Sequence, residues 1–171
     1  MANVDLSRVP EYYHKYINLA IDDDLETAFE KHQTELISFL KDIPKKKWEY
    51  RYAEGKWSIK EVVQHIIDAE RVFAYRALCF ARKDQTSLPS FDENIFAANS
   101  KADDRSKKEL IKELKSVQES SALLFNSFDE EQLEQPGVAS GKPTYVKGIA
   151  YIVVGHALHH KKILEERYLK E

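Results

Sequence analysis

Four long segments of the chain place apolar residues three or four positions apart, which is the pattern of amphipathic α-helices. The first predicted helix covers about residues 22–42, where three aspartates can cap its amino end and Pro44 ends the pattern. The second covers about residues 58–82 and begins with Ser58 and Glu61, which are spaced as in a capping box. These two segments are predicted to be long, regular helices.

Two further helices are predicted in the second half of the chain. The third covers about residues 105–127 and begins with a second capping-box sequence, Ser106 to Glu109. The fourth covers about residues 144–169 and follows a segment rich in glycine and proline at 136–143. Thr144 is expected to be its N-cap.

The remaining segments decide how these helices are arranged. Residues 83–104 form a long connection between the second and third helices, and connections of that length often cross a bundle. Residues 9–20 are rich in tyrosine and predict a short additional helix, while no strand or internal repeat is recognised. The sequence therefore predicts an all-α fold, a four-helix bundle with a long crossover between helices 2 and 3. The bundle is predicted to be a single domain over residues 1–171, with an N-terminal extension at about residues 1–20.

Composition narrows the classes of function. The 171 residues are 43% hydrophobic and 32% charged, as in ordinary globular proteins, and the net charge of −3 argues against a nucleic-acid partner. The basic run Lys45–Lys47 is interpreted as a solvated helix end. Cys79 is the single cysteine, so no disulfide forms within the chain. Neither a signal peptide nor a membrane-spanning run is recognised, and we expect a cytoplasmic protein with no membrane partner.

His156 and His160 interrupt the apolar stripe of the fourth predicted helix. Positions four apart lie on one face of a helix, so both imidazoles point where isoleucine or leucine would ordinarily pack. A buried polar group without a partner costs about 1–3 kcal/mol. A shared metal ion would satisfy both side chains, and hydrogen bonds within the core are the alternative.

His65, in the second predicted helix, supplies a third imidazole. Taken alone, it is interpreted as an ordinary core or boundary histidine rather than a ligand. Together with His156 and His160 it gives the three protein ligands that a catalytic metal site uses, with a position left open for water or substrate.

Other polar residues are weaker candidates. Asp68 lies one turn after His65 and can act as a fourth ligand, a residue that orients a ligand, or a general base, or it can simply pair with Arg71. By helical angle His159 lies at the edge of the stripe, beside the site or at the surface. Asp92 and Glu93, in the long connection, can line the entrance or be solvated.

The segments around these histidines resemble the two signature regions of the DinB-like superfamily, which is grouped with the YfiT-like metal-dependent enzymes. The family pattern W-S-x-x-E-x-x-x-H-x-x-D at the start of helix 2 is matched from Trp57 to Asp68. The pattern G-H-x-x-H-H in the last helix is matched from Gly155 to His160. Residues 88–94 and 163–169 are also similar, so the resemblance extends over about residues 20–169.

The resemblance implies a four-helix bundle whose metal ligands are His65, His156 and His160, holding a divalent ion that is most often nickel or zinc. It also implies a homodimer, and some relatives use a low-molecular-weight thiol. We therefore expect a metal-dependent enzyme, a hydrolase or thiol S-transferase, acting on a small molecule. The alternative is a non-catalytic protein in which a structural metal or a bound ligand serves another purpose.

Overall fold

The structure, a computed structural model, describes residues 4–170. Within that range the α-helices, numbered in chain order, are α1 His14–Ile17, α2 Leu25–Asp42, α3 Ile59–Ala81, α4 Glu93–Asn99, α5 Lys107–Asn126, α6 Glu130–Leu133 and α7 Val146–Ile163. The four long ones, α2, α3, α5 and α7, form the bundle, and α3 packs against both α5 and α7. This confirms the predicted all-α four-helix bundle. None of the helices in residues 4–170 combines the length and apolar character that crossing a bilayer requires.

Local capping signals set where three of the long helices begin. The Asp24 carboxylate accepts a hydrogen bond from the Thr27 amide at the start of α2. Ser58 and Glu61 form a complete capping box on α3, and Ser106 begins α5 with another. Each such cap supplies partners for amide groups that the first helical turn leaves unpaired. The observed helices therefore begin within about three residues of their predicted positions.

A short β-hairpin stands before α7, where no strand was predicted. Strands β1 Pro136–Ala139 and β2 Lys142–Tyr145 pair in antiparallel fashion. Ser140 and Gly141 join them with φ angles of 54° and 69°, the left-handed conformation that two-residue hairpin turns require. The prediction was wrong because strands of four residues with proline and glycine in them carry the same residues as a loop.

The start of the last helix also differs from the prediction. Thr144 lies in β2 rather than at the N-cap, and Tyr145 holds the cap position without a side-chain hydrogen bond. The helical path continues beyond α7 as a wider π-helical segment, Leu164–Leu169, in which Leu164 and Tyr168 are buried. The predicted range of 144–169 is thus divided between a strand end, an α-helix and a π-helical end.

The N-terminal extension folds onto the bundle. A 3-10 turn, Glu11–Tyr13, leads into α1, which packs against α7. Tyr16 is only 5% exposed, whereas Tyr12 in the same segment is 64% exposed. Close packing is possible because Gly155 has no side chain: a Cβ atom there would lie 2.0 Å from the carbonyl oxygen of Tyr16.

The core is built from two clusters of apolar side chains, one toward each end of the bundle. One includes Phe73 and Val153, and the other includes Ile66 and Ala157. His156 follows the first cluster and precedes the second along α7. The candidate site therefore lies where the two halves of the core meet.

Candidate metal centre

Three histidines from two helices converge at one point. His65 lies in the second turn of α3, and His156 and His160 lie one turn apart near the carboxyl end of α7. The Nε2 atom of His156 is 3.0 Å from Nε2 of His65 and 3.1 Å from Nε2 of His160. One ring nitrogen from each residue falls within 4.8 Å of the other two. The structure thus brings together all three histidines that the sequence singled out.

Burial keeps these imidazoles unprotonated. It lowers the pKa of His65 to about 4 and holds the pKa of His156 well below its usual value. The pKa of His160 is lowered in the same way, with the neighbouring histidines adding to the effect of burial. A neutral imidazole has one ring nitrogen with a free lone pair, which is the form that binds a metal.

The geometry fits a small divalent ion. Bonds of about 2.1 Å to imidazole nitrogens at tetrahedral angles place those nitrogens about 3.4 Å apart. The closest Nε2 pairs are 3.0 and 3.1 Å apart, so a small outward movement accommodates an ion. The three imidazoles would be the protein ligands of such an ion, and all three also line a cavity that a further ligand could enter.

That cavity has a volume of about 320 Å³, within the usual range for small-molecule sites. Its walls are largely aromatic: Trp57 lies 4.9 Å from the His65 ring, and Tyr16 lies 5.6 Å from the His156 ring, measured between ring centroids. Burial raises the pKa of Tyr16 far above its usual value, so its hydroxyl group keeps its proton. The cavity can therefore hold a mainly apolar molecule with one end at the histidines.

Asp68 does not line the cavity. Its carboxylate accepts a hydrogen bond from the Gln64 amide at 2.9 Å and lies 4.0 Å from Arg71, the partner that the simpler interpretation named. Arg71 in turn donates to Glu113 on α5. Asp68 thus belongs to a polar network between α3 and α5, away from the convergent nitrogens.

His159 lies at the edge of the site, as its helical angle predicted. Its ring is 5.0 Å from the Tyr16 ring and 5.3 Å from the His160 ring, and it lines the cavity. Burial lowers its pKa, and Lys15 and Lys162 act in the same direction. A half-buried imidazole that is unprotonated at neutral pH can accept a proton from a bound molecule.

The long connection contributes one of its two acidic candidates. Glu93, the first residue of α4, lines the cavity, and its charge partly opposes the lowering of the His65 pKa. Asp92 caps α4 instead, accepting from the amides of Asn94 and Ile95. Cys79 packs against the apolar core, as expected.

Sequence reasoning missed several cavity residues. Arg76 lines the wall, as do Tyr13 and Phe91. The sequence did contain a signal for Arg76, because this charged residue lies on the apolar stripe of α3, three residues after Phe73. It interrupts that stripe in the same way as His156 interrupts the stripe of α7. The tyrosines of the N-terminal segment carried no such signal, because no helical period links them to α7.

Comparison with known proteins places this chain and its fold in a family. Among curated protein sequences no significant match is found. A solved structure, YfiT from Bacillus subtilis, is described as a probable metal-dependent hydrolase with an unusual four-helix bundle topology. It matches with a TM-score of 0.71 and 13% sequence identity, over 96% of this chain and 91% of that one, and so confirms the bundle fold. The family model of the DinB superfamily matches residues 28–164. The resemblance predicted from the histidine motifs is therefore confirmed, and the chain belongs to the DinB superfamily.

Proposed function

We propose that this protein is a metal-dependent enzyme in which His65, His156 and His160 hold a divalent ion. The observation that carries the proposal is the convergence of their Nε2 atoms at the end of a cavity of ligand size. Imidazole ligands suit zinc and nickel, and either ion fits the proposal. YfiT, which shares the fold, is described as a probable metal-dependent hydrolase, and this supports the same class of chemistry.

A divalent ion held by the three histidines would lower the pKa of a water or thiol bound to it and so supply a nucleophile near neutral pH. His159 and Glu93 line the same cavity and would accept the released proton. Aromatic side chains form part of the cavity wall beside the histidines, where they would limit the water around a bound molecule. Attack by water gives hydrolysis, and attack by a low-molecular-weight thiol gives S-transfer to a small electrophile.

The ion is proposed to serve chemistry rather than folding. Helices α3 and α7 already pack against each other through apolar residues of both core clusters. An ion is not needed to join them, whereas a structural ion contributes most where the core is small. Removal of a catalytic ion should therefore leave the bundle folded.

A homodimer is part of the proposal. Three large apolar side chains on one face, Tyr75, Ile95 and Phe96, are 57%, 61% and 42% exposed. They lie together along a groove between α3 and α4, and exposed apolar patches of this kind often mark protein contacts.

The test is metal content measured by elemental analysis on protein purified without a histidine tag. We expect about one ion per chain in the wild type, and loss of most of it in His65→Ala and His156→Ala. The matched control is His159→Ala, which lies in the same cavity without joining the convergent nitrogens and should keep its metal. Full metal content in His156→Ala would falsify the ligand assignment.

Two further measurements separate catalysis from structure. Chelation should shift thermal unfolding only slightly if the ion is catalytic, and by several kcal/mol in unfolding free energy if it is structural. A panel of thiols with monochlorobimane, beside a panel of simple esters, then separates S-transfer from hydrolysis. His159→Ala should keep its metal and lose turnover, and unchanged turnover would remove His159 from the mechanism.

A further inference from the structure

Arg76 is a buried cation without an anionic partner. Its side chain leaves α3 into the wall of the cavity, and the residue is only 4% exposed. One terminal nitrogen, Nη2, donates to the Pro89 carbonyl at 2.7 Å and to the Ser140 hydroxyl at 3.0 Å. Among residues 4–170, no carboxylate forms an ion pair with this guanidinium. Its two acceptors are both neutral, so its charge is not balanced.

This arrangement is costly unless something compensates it. Removing a charge from water costs several kcal/mol, and neutral acceptors return only part of that. Burial lowers the pKa of Arg76, while the nearby Tyr13 opposes that effect. A guanidinium nevertheless remains charged in proteins, so the compensation has to come from an anion rather than from loss of the proton.

Two other arginines, Arg71 in α3 and Arg82 directly after it, show how unusual Arg76 is. Arg71 pairs with Glu113 at 2.7 Å, and Arg82 is exposed at the carboxyl end of the helix. Within residues 4–170 Arg76 has no carboxylate partner, and it is only 4% exposed. Its guanidinium lines the cavity that the three histidines also line, so a molecule bound there can supply the missing negative charge.

The route from Arg76 to the histidines is apolar. Its Cζ atom lies 5.8 Å from the Phe73 ring centroid and 6.0 Å from that of Phe91. The same Phe73 ring lies 6.0 Å from the His156 ring, measured between ring centroids. Aromatic rings thus lie between the Arg76 guanidinium and the histidine cluster. This arrangement suits a molecule with an anionic end and an apolar body.

We propose that Arg76 binds the carboxylate of the substrate, and that the substrate is a small carboxylate with an aromatic or similarly flat apolar body. The body packs against Phe73 and Phe91, and the reacting end lies at His65, His156 and His160. A carboxylate matches the planar fork of the guanidinium and makes charge-assisted hydrogen bonds to it. The proposal deepens the proposed function and rests on it for the role of the histidines.

The other charged groups at the cavity do not replace Arg76 in this role. Lys15 is exposed and lies over the Tyr12 and Tyr16 rings, at 4.4 and 4.8 Å from their centroids, so water screens its charge. Glu93 is an anion and repels a carboxylate from its side of the cavity. Specificity for the carboxylate is therefore assigned to the buried guanidinium.

The experiment compares probes of equal shape and different charge. Dissociation constants of benzoate and benzamide, and of phenylacetate and phenylacetamide, are measured by calorimetry at pH 7.5. The same titrations use EDTA-treated and zinc-loaded protein. The variants are Arg76→Gln and, as a matched change on the same helix away from the cavity, Arg82→Gln. Lys15→Gln tests the exposed cation.

We expect wild-type protein to prefer at least one carboxylate over its amide by about tenfold or more, since hydrogen bonds to charged groups contribute about 1.5–3 kcal/mol. Arg76→Gln should abolish the preference, whereas Arg82→Gln should retain it and Lys15→Gln should reduce it less than about threefold. Absence of a preference in the wild type, or its survival in Arg76→Gln, overturns the proposal. If Arg76→Gln does not fold, Arg76→Lys replaces it, and an unchanged carboxylate affinity there overturns the proposal as well.

The metal-free titrations keep this proposal separate from the metal assignment. A preference that is present in EDTA and lost in Arg76→Gln supports Arg76 even if His156→Ala keeps its metal. A preference that requires zinc and disappears in His156→Ala but not in Arg76→Gln means that the carboxylate binds the ion. In that case Arg76 is not the recognition residue, although the metal site stands.

Discussion

Replacement of Gly155 by alanine tests how the N-terminal segment is held over the site. A Cβ atom at this position would lie 2.0 Å from the carbonyl oxygen of Tyr16 and 2.4 Å from its carbonyl carbon. Both contacts are with backbone, so no change of side-chain rotamer relieves them. Gly155→Ala must therefore move α1 away from α7 or bend α7 itself.

The size of the effect follows from two opposing terms. Alanine is favoured over glycine inside a helix by about 1 kcal/mol. Overpacking in a close contact costs about 1–3 kcal/mol and sometimes more, and a separation of 2.0 Å places Gly155 at the upper end. We expect Gly155→Ala to lower the free energy of unfolding by about 1–2 kcal/mol in total. Tyr16 should also move away from His156 and His159, whose rings it contacts.

Gly148→Ala is the matched control, because it adds the same atom to the same helix. There the nearest atoms belong to side chains, Val9 at 2.7 Å and Tyr145 at 2.9 Å, and these can shift more easily than backbone. Urea denaturation followed by circular dichroism gives both free energies of unfolding. The reasoning is refuted if Gly155→Ala is as stable as the wild type, or if it loses less stability than Gly148→Ala.

Two further predictions concern how the free energy of unfolding depends on pH, one through His65 and one through Glu70, both on α3. The pKa of His65 falls from 6.5 to about 4 on folding, so the metal-free protein should lose up to about 3 kcal/mol through this residue as pH drops from 6.5 to 4, because the unfolded chain takes the proton first. Urea denaturation at several pH values should show a flatter profile in His65→Gln, and an identical profile would contradict the prediction. Burial raises the pKa of Glu70 from 4.5 to about 7, so its contribution is lost as pH rises through that interval. Glu70→Gln should therefore be more stable than the wild type at pH 8 by up to about 3 kcal/mol and similar to it near pH 4.5, and a variant less stable at pH 8 would refute this.

The parts of the fold that the sequence predicted are those encoded by local spacing. Ser58 and Ser106 mark helix starts because a capping box needs only four consecutive residues. His156 and His160 could be paired because a helix fixes the relation between positions four apart. His65 was added because a catalytic metal site uses three protein ligands, and the family resemblance then implied the same residue.

The parts that were missed depend on contacts between distant segments. The hairpin of β1 and β2 is held partly by Leu88, which lies early in the connection after α3 and whose amide donates to the Val138 carbonyl at 2.9 Å. Tyr16 is buried because α7 has a glycine where α1 crosses it. Neither relation has a period along the chain, although an isolated glycine within a helical pattern is a general signal of close backbone approach.

Buried polarity alone does not identify a functional site in this bundle. Glu70 is 3% exposed and its Oε1 atom has no hydrogen-bond partner among the described residues, so it is as anomalous in the core as His156 or Arg76. Its cavity, however, is only about 20 Å³, which is room for about one water molecule and not for a substrate. His156 and Arg76 differ from Glu70 because both line a cavity of about 320 Å³, and each lies within about 6 Å of the Phe73 ring centroid. Polar groups that line one cavity of ligand size are therefore better evidence of function than burial alone. By that criterion we assign the neutral imidazoles of the three histidines and the unpaired guanidinium of Arg76 to one proposed site.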